Sequence, residues 1–185
     1  MRMLDMVPFG PMEEEVLCAV ELCLWQVFDL EVRRCPVHPI PQEAFDTTRA
    51  QYGSLPLLAR LQRGARAEAH RTLGLTNVDL FIPMLTFVFG QAQVGGRCAL
   101  VSSARLRQEF YGLEPNPSLL TARMVREVVH EVGHTHGLLH CNNPECPMSL
   151  SNTIMQVDRK GEDLCQSCWT ILEATIAGEE QTMRQ

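Results

Sequence analysis

Lysine is almost missing from this sequence: Lys160 stands alone among 16 basic residues, and no run of basic residues occurs in a chain of formal net charge −6. A chain without a positive field offers a polyphosphate backbone little to bind, so nucleic acid is not an expected partner. No function follows from the bias toward arginine itself. Long apolar runs are lacking too. The longest, Leu80 to Phe89, is interrupted by Pro83 and Thr86 and is too short to span a bilayer, so no membrane partner is expected. The opening MRMLDMVPFGPMEEE is broken by Asp5 and Pro8 and lacks the continuous apolar segment of a secretory signal. No asparagine meets the N-glycosylation rule, and there is no internal repeat or low-complexity tract. These absences lead to the expectation of a cytoplasmic protein, in which eight cysteines serve as reduced thiols or metal ligands rather than as disulfides.

At 185 residues, 45% of them hydrophobic, the chain can bury a core without disulfide staples, and one domain over residues 1–185 is expected. Met3 to Phe9 reads as a first strand, ended by Gly10-Pro11. A helix follows, with Glu13, Glu14 and Glu15 at its positive dipole end and a core-facing stripe of Val16, Val20, Leu24 and Val27. Glu31 to Val37 predicts a second strand, before a loop through Pro36, Pro39 and Pro41. A second helix is expected over Leu55 to Thr72, with Gly74 just past its end, and a third strand over Asn77 to Pro83. Gly95-Gly96, flanked by Thr86 to Gln93 and Arg97 to Ser103, signals a tight hairpin. A helix from about Ser118 runs through Val125, Val128 and Val129 into a group of histidines. From Cys141 to Gly161 little periodicity remains, so irregular structure is expected, and a last helix is predicted from about Asp163 to Ala177, ending at Gly178. Strands separated by helices and closing in a hairpin indicate an α/β (α+β) fold, a twisted mixed sheet with helices packed on it.

The informative stretch is HEVGHTHGLLHC, His130 to Cys141. On a helix, His130 and His134 share one face and can reach one ion, while Glu131 lies one position round, beside the metal without binding it. The five-residue His-Glu-x-x-His pattern is weak by itself and also arises on exposed helix faces. Gly137 strengthens it, because a glycine there can take positive φ, stop the helix and turn the chain so that His140 becomes a third ligand. Three imidazoles leave a fourth position open, the arrangement of a catalytic zinc with Glu131 as general base. His136 falls about 200° round the helix from His134 and is expected to face away, as a surface histidine or one that supports a ligand from behind.

Cys141, Cys146 and Cys165-x-x-Cys168 have the spacing of a structural zinc site of four thiolates. A redox Cys-x-x-Cys accounts for only two of the four and has no preceding thioredoxin-like strand. Cys18, Cys23, Cys35 and Cys98 fall among apolar residues on predicted core elements and are expected to be buried thiols.

Taken in register over residues 130–168, the pattern His-Glu-x-x-His-x-x-Gly-x-x-His-Cys, Cys146-x-Met148 and Cys-x-x-Cys resembles the archaemetzincins. Sixteen residues separate Met148 from Cys165, one fewer than the family's spacing. The resemblance implies a metzincin-like upper lobe over about 1–137 and a small irregular lower lobe over about 138–185 that ends in a C-terminal helix. It implies that Phe87 to Gln93 is an antiparallel edge strand lining the cleft, to which an extended peptide can add by backbone hydrogen bonds. Met148 would form the Met-turn, an apolar floor under the three histidines, with Met155 merely nearby. The expectation is a zinc peptidase with two ions per chain, one catalytic and one structural, acting on a peptide or protein substrate. Endopeptidase and aminopeptidase action both stay open. Two rivals stand beside it: a zinc-binding or peptide-binding protein that keeps the site without turnover, and a three-histidine zinc ribonuclease, a class that lacks the glutamate beside the first histidine.

Overall fold

The computed structural model describes residues 2–183. Alternation along Arg2–Phe9 (β1) sends Leu4 and Met6 into one core and Val7 and Phe9 against a second on the opposite side, so this strand is covered on both faces. Its neighbours are Leu30–Arg34 (β2), Arg71–Thr76 (β5), Cys98–Ser102 (β8) and Gly90–Ala92 (β7), in the order β2-β1-β5-β8-β7. The first four strands run parallel, and β7 pairs antiparallel with β8 at the edge. One face carries the helices Glu14–Phe28 (α1), Pro117–Thr135 (α3) and Gln166–Met183 (α5), and the predicted stripe Val16, Val20, Leu24 and Val27 is buried there. The other face carries Ser54–Gly64 (α2), whose Leu57, Leu58 and Leu61 close the second core.

Several predicted boundaries move, each for a physical reason. The helix expected over Leu55 to Thr72 stops at Gly64, and its last two residues belong to β5, the middle strand of the sheet. Gly74, expected as a helix stop, lies inside β5. A Cβ there would sit 2.6 Å from Leu61 Cδ1 and 2.9 Å from Leu100 Cδ1, so glycine is what lets α2 seat on the sheet. The strand over Asn77 to Pro83 reduces to Leu80–Phe81 (β6). It pairs with Gln51–Gly53 (β4) beside Phe45–Asp46 (β3) in a separate small sheet, because Leu80 is committed to the second core. β2 ends at Arg34 rather than Val37, just before Pro36, which has no amide to donate. The irregular stretch after Cys141 contains one short helix, Ile154–Arg159 (α4), fixed at its start by a Thr153/Gln156 capping box. The last helix begins at Gln166 and runs through Gly178 instead of ending there. Glu179 draws it onward, accepting from Arg71 and lying 2.9 Å from His70 Nε2.

Candidate functional site

Helix α3 starts at an Asn116 side chain that accepts the Leu119 amide, with Pro117 in the first turn, and it delivers both histidines of the motif to one end of the sheet. His130 Nδ1 lies 2.8 Å from the Pro147 carbonyl and His134 Nδ1 lies 2.7 Å from the Leu138 carbonyl. A carbonyl oxygen only accepts, so each Nδ1 carries the proton and each Nε2 presents a lone pair. Those two Nε2 atoms are 3.1 Å apart, close to the ~3.3 Å separation of two ligands on one tetrahedral zinc at about 2.0–2.1 Å. Two lone pairs facing each other at that distance repel unless a cation lies between them. Burial, with the charge of Lys160, holds the His130 imidazole well below its usual range, and burial lowers that of His134, which favours in both the neutral form that metal ligation requires. Gly137 takes φ +82°, ends the helix and brings His140 round, so that one nitrogen from each of the three histidines lies within 4.8 Å of the others.

These histidines open on a cleft of about 750 Å³, walled on one side by residues 85–92 and on the other by Leu150, Ser151 and Asn152. The hairpin tip is tied to the histidine-bearing helix, for the Gly95 amide donates to the His134 carbonyl at 2.9 Å. Gly90 in edge strand β7 lies directly over Glu131: a Cβ there would meet Glu131 Cγ at 2.7 Å and Oε1 at 2.8 Å. Burial, reinforced by Glu127 and opposed by Lys160, pushes the Glu131 carboxyl well above the ordinary carboxylate range.

Met148 is fully buried beneath the histidine helix, and a Cβ on Gly133 would come 2.5 Å from its sulfur, so the glycine between the two histidines is what admits the thioether. Beyond it the four sulfurs of Cys141, Cys146, Cys165 and Cys168 lie within 4.8 Å of one another. Cys141 Sγ and Cys165 Sγ are 3.7 Å apart, far beyond a disulfide bond but close to the ~3.8 Å between two thiolates bound at about 2.3 Å to tetrahedral zinc. Of the remaining cysteines, Cys23 and Cys98 are buried as expected. Cys18 is instead exposed, since it lies off the apolar stripe of α1 beside Arg34, and Cys35 is half-buried in a loop.

His136 lies outside the cluster of His130, His134 and His140, as its position round the helix requires, but it is not at the surface. It is buried, stacked on Phe28 with ring centroids 5.3 Å apart, and its Nδ1 is 3.5 Å from Glu179. The lone lysine is the residue that sequence reasoning missed. Lys160 has a fully buried side chain whose Nζ lies 2.8 Å from Glu127 Oε1, and Glu127 lines the cleft one helical turn before Glu131. The available signal was the use of lysine at one position in a chain that otherwise uses arginine. Because a buried carboxylate stripped of its cation is costly, Lys160→Met is expected to lower unfolding free energy by about 3–5 kcal/mol. Glu127→Leu combined with Lys160→Met should recover most of that loss in denaturant unfolding; equal losses in the single and double variants would show that the pair is not the cause.

Comparison with known proteins places the whole chain in a family. Residues 58–174 match the model of peptidase family M54. The archaemetzincin of Methanocaldococcus jannaschii is 40% identical over 164 residues, 87% of each chain, and that of Methanopyrus kandleri is 44% identical over 137 residues, 74% of each. The crystal structure of the Methanopyrus kandleri archaemetzincin superposes with TM-score 0.85 at 37% identity, covering 95% of this chain and 96% of that one. A zinc-dependent peptidase from Methanocorpusculum labreanum superposes with TM-score 0.83 at 31% identity, covering 91% of this chain and 99% of that one. With sequence and fold matched together over nearly its whole length, the chain belongs to the archaemetzincins, peptidase family M54.

Proposed function

We propose that this protein hydrolyses peptide bonds with a zinc ion held by His130, His134 and His140, and that Glu131 is its general base. The observation that carries the reading is the pair of converging Nε2 lone pairs, 3.1 Å apart, with Glu131 one residue away at the base of an open cleft. Zinc bound there supplies Lewis acidity that activates water toward a peptide carbonyl. Glu131 takes the proton released in the attack and returns it to the leaving amine, and burial, which raises its carboxyl above the ordinary range, makes it a stronger base than an exposed glutamate. The edge strand β7 aligns an extended peptide or protein substrate by backbone hydrogen bonds. Met148 serves as the Met-turn, an apolar floor below the histidines. Cys141, Cys146, Cys165 and Cys168 hold a second, structural zinc that joins the lower lobe, about residues 138–185, to the start of α5. The upper lobe, about residues 1–137, completes one peptidase domain, working in the cytoplasm where its thiols stay reduced. A binding protein that merely retained zinc would have no use for a carboxylate at Glu131, which favours turnover over the rival reading.

Metal analysis during mild chelation tests the two-site proposal. The purified chain is expected to carry two zinc ions of unequal lability, the histidine-bound ion leaving first and taking peptide hydrolysis with it, and re-added zinc restoring both. Loss of both ions in a single step, or one ion per chain with all four cysteines titrating as free thiols, would overturn it.

A further inference from the structure

The face of the sheet opposite the histidines carries a second pocket of about 410 Å³, formed by β1, the segment after β2 and the C-terminal half of α2. Val7, Phe9 and Leu61 give it an apolar wall, and Arg60, Arg63 and Arg66 stand around it. Its volume and mixed lining are those of a small-molecule site.

Two observations point to an anionic occupant, although the chain as a whole has a net charge of −6. Arg33 and Arg66 share the buried Asp5, with Nε–O distances of 2.6 and 3.9 Å, and Arg33 also approaches Glu68 at 4.0 Å. Arg60 and Arg63 have no carboxylate partner among the described residues. Among the lining residues three guanidiniums, Arg60, Arg63 and Arg66, stand against one carboxylate, Asp5, which leaves two positive charges in excess. The second observation is independent of charge. Thr72 on β5 is 3% exposed, lines the pocket, and its Oγ1 is buried with no hydrogen-bond partner. A buried hydroxyl without an acceptor is costly to the fold and calls for a ligand that supplies one.

We propose that this pocket binds a small organic phosphate monoester, its phosphoryl group among Arg60, Arg63 and Arg66 and its body against Val7 and Phe9, with Thr72 donating to it. A phosphate monoester carries about −1.5 to −2 charges at pH 7, which matches the excess here, whereas a monocarboxylate neutralises only half of it. Arginine forks meet phosphoryl oxygens two at a time, a geometry that lysine does not offer. The site shares no residue with the zinc cleft, so it stands or falls independently of the peptidase reading.

Thermal melts of the zinc-loaded full chain against inorganic phosphate and glycerol phosphate test it, with acetate at matched ionic strength as control. Both phosphates are expected to raise the melting temperature saturably, and acetate is not. Arg60→Gln combined with Arg63→Gln should weaken phosphate binding by at least about ten-fold, while leaving the phosphate-free melting temperature and peptide hydrolysis unchanged. Thr72→Val keeps shape and removes the hydroxyl, so it should bind glycerol phosphate several-fold more weakly yet melt no lower than wild type without ligand. A phosphate effect that survives in the double arginine variant would belong to the zinc cleft, and an equal response to acetate would be screening. Either result overturns the proposal.

Discussion

Glu131→Gln is expected to keep both zinc ions and to melt no lower than wild type, yet to lose peptide hydrolysis by about 10²–10⁴-fold, the range for removing a general base. Size and polarity are conserved, and no proposed ligand is touched. Stability should not fall, and the sign of the effect can be worked out. Burial raises the Glu131 carboxyl above its unfolded value, so above that value the unfolded chain ionises more readily than the folded one and the residue subtracts stability. A neutral amide removes that penalty. Gly90→Ala should impair turnover by a different route, since the added methyl would sit 2.7 Å from Glu131 Cγ and 2.6 Å from the Leu100 carbonyl, displacing base or edge strand while the histidines keep their metal. The measurements are hydrolysis of a peptide library and metal content on the same preparations. If Glu131→Gln cleaves as fast as wild type, the activity belongs to another site or a contaminant, and a non-catalytic zinc protein becomes the better reading.

What could be read from the sequence was what is local in the chain. His130 and His134 are one helical turn apart, Gly137 needs only its own φ of +82°, and the hairpin is announced by adjacent glycines, so each signal lies within a few residues of its effect. Spacing likewise brings four cysteines into one cluster. The larger failures involve distant partners. Arg71–Thr76 contains the right residues for a strand, but the apolar pattern of α2 reads on through them, and only the packing of Leu61 and Leu100 around Gly74 shows why a glycine stands there. His136 was placed correctly round the helix, while its destination depends on Phe28, over one hundred residues earlier, and on Glu179 in the last helix. A helical glycine costs only about 1 kcal/mol relative to alanine, so Gly178 does not stop α5 when Glu179 has His70 and Arg71 to engage. Lys160 and Glu127 lie 33 residues apart, beyond any local pattern, and their pairing beside the cleft required the fold itself.

The largest stability effect is expected at the cysteine cluster, where Cys165→Ser or Cys168→Ser should lower the melting temperature by about 10 °C or more. The lower part of the chain has little regular structure between Gly137 and α5 beyond the six residues of α4, so few backbone ladders hold it. Its order rests on buried Leu138, Cys146, Met148, Val157 and Leu164 and on the four sulfurs. The backbone amide of Cys168, in the first turn of α5, lowers the Cys165 thiol from its ordinary value and so favours the thiolate, the form that binds metal. Structural zinc binding has an apparent free energy of about 10–16 kcal/mol, and at this chain length each kcal/mol is worth roughly 2–4 °C. Losing a third of that free energy therefore corresponds to roughly 7–21 °C, a range that brackets the predicted shift. Cys18→Ser is the matched control, because that thiol is exposed and lies outside the cluster, and it should melt like wild type. His140→Ala provides the complementary contrast: it should weaken the labile zinc and abolish hydrolysis while the rest of the fold melts nearly unchanged. Calorimetry with metal analysis separates the cases. Were Cys165→Ser to melt with the control, zinc at the four sulfurs would have no part in folding, and those thiols would need another explanation for their convergence.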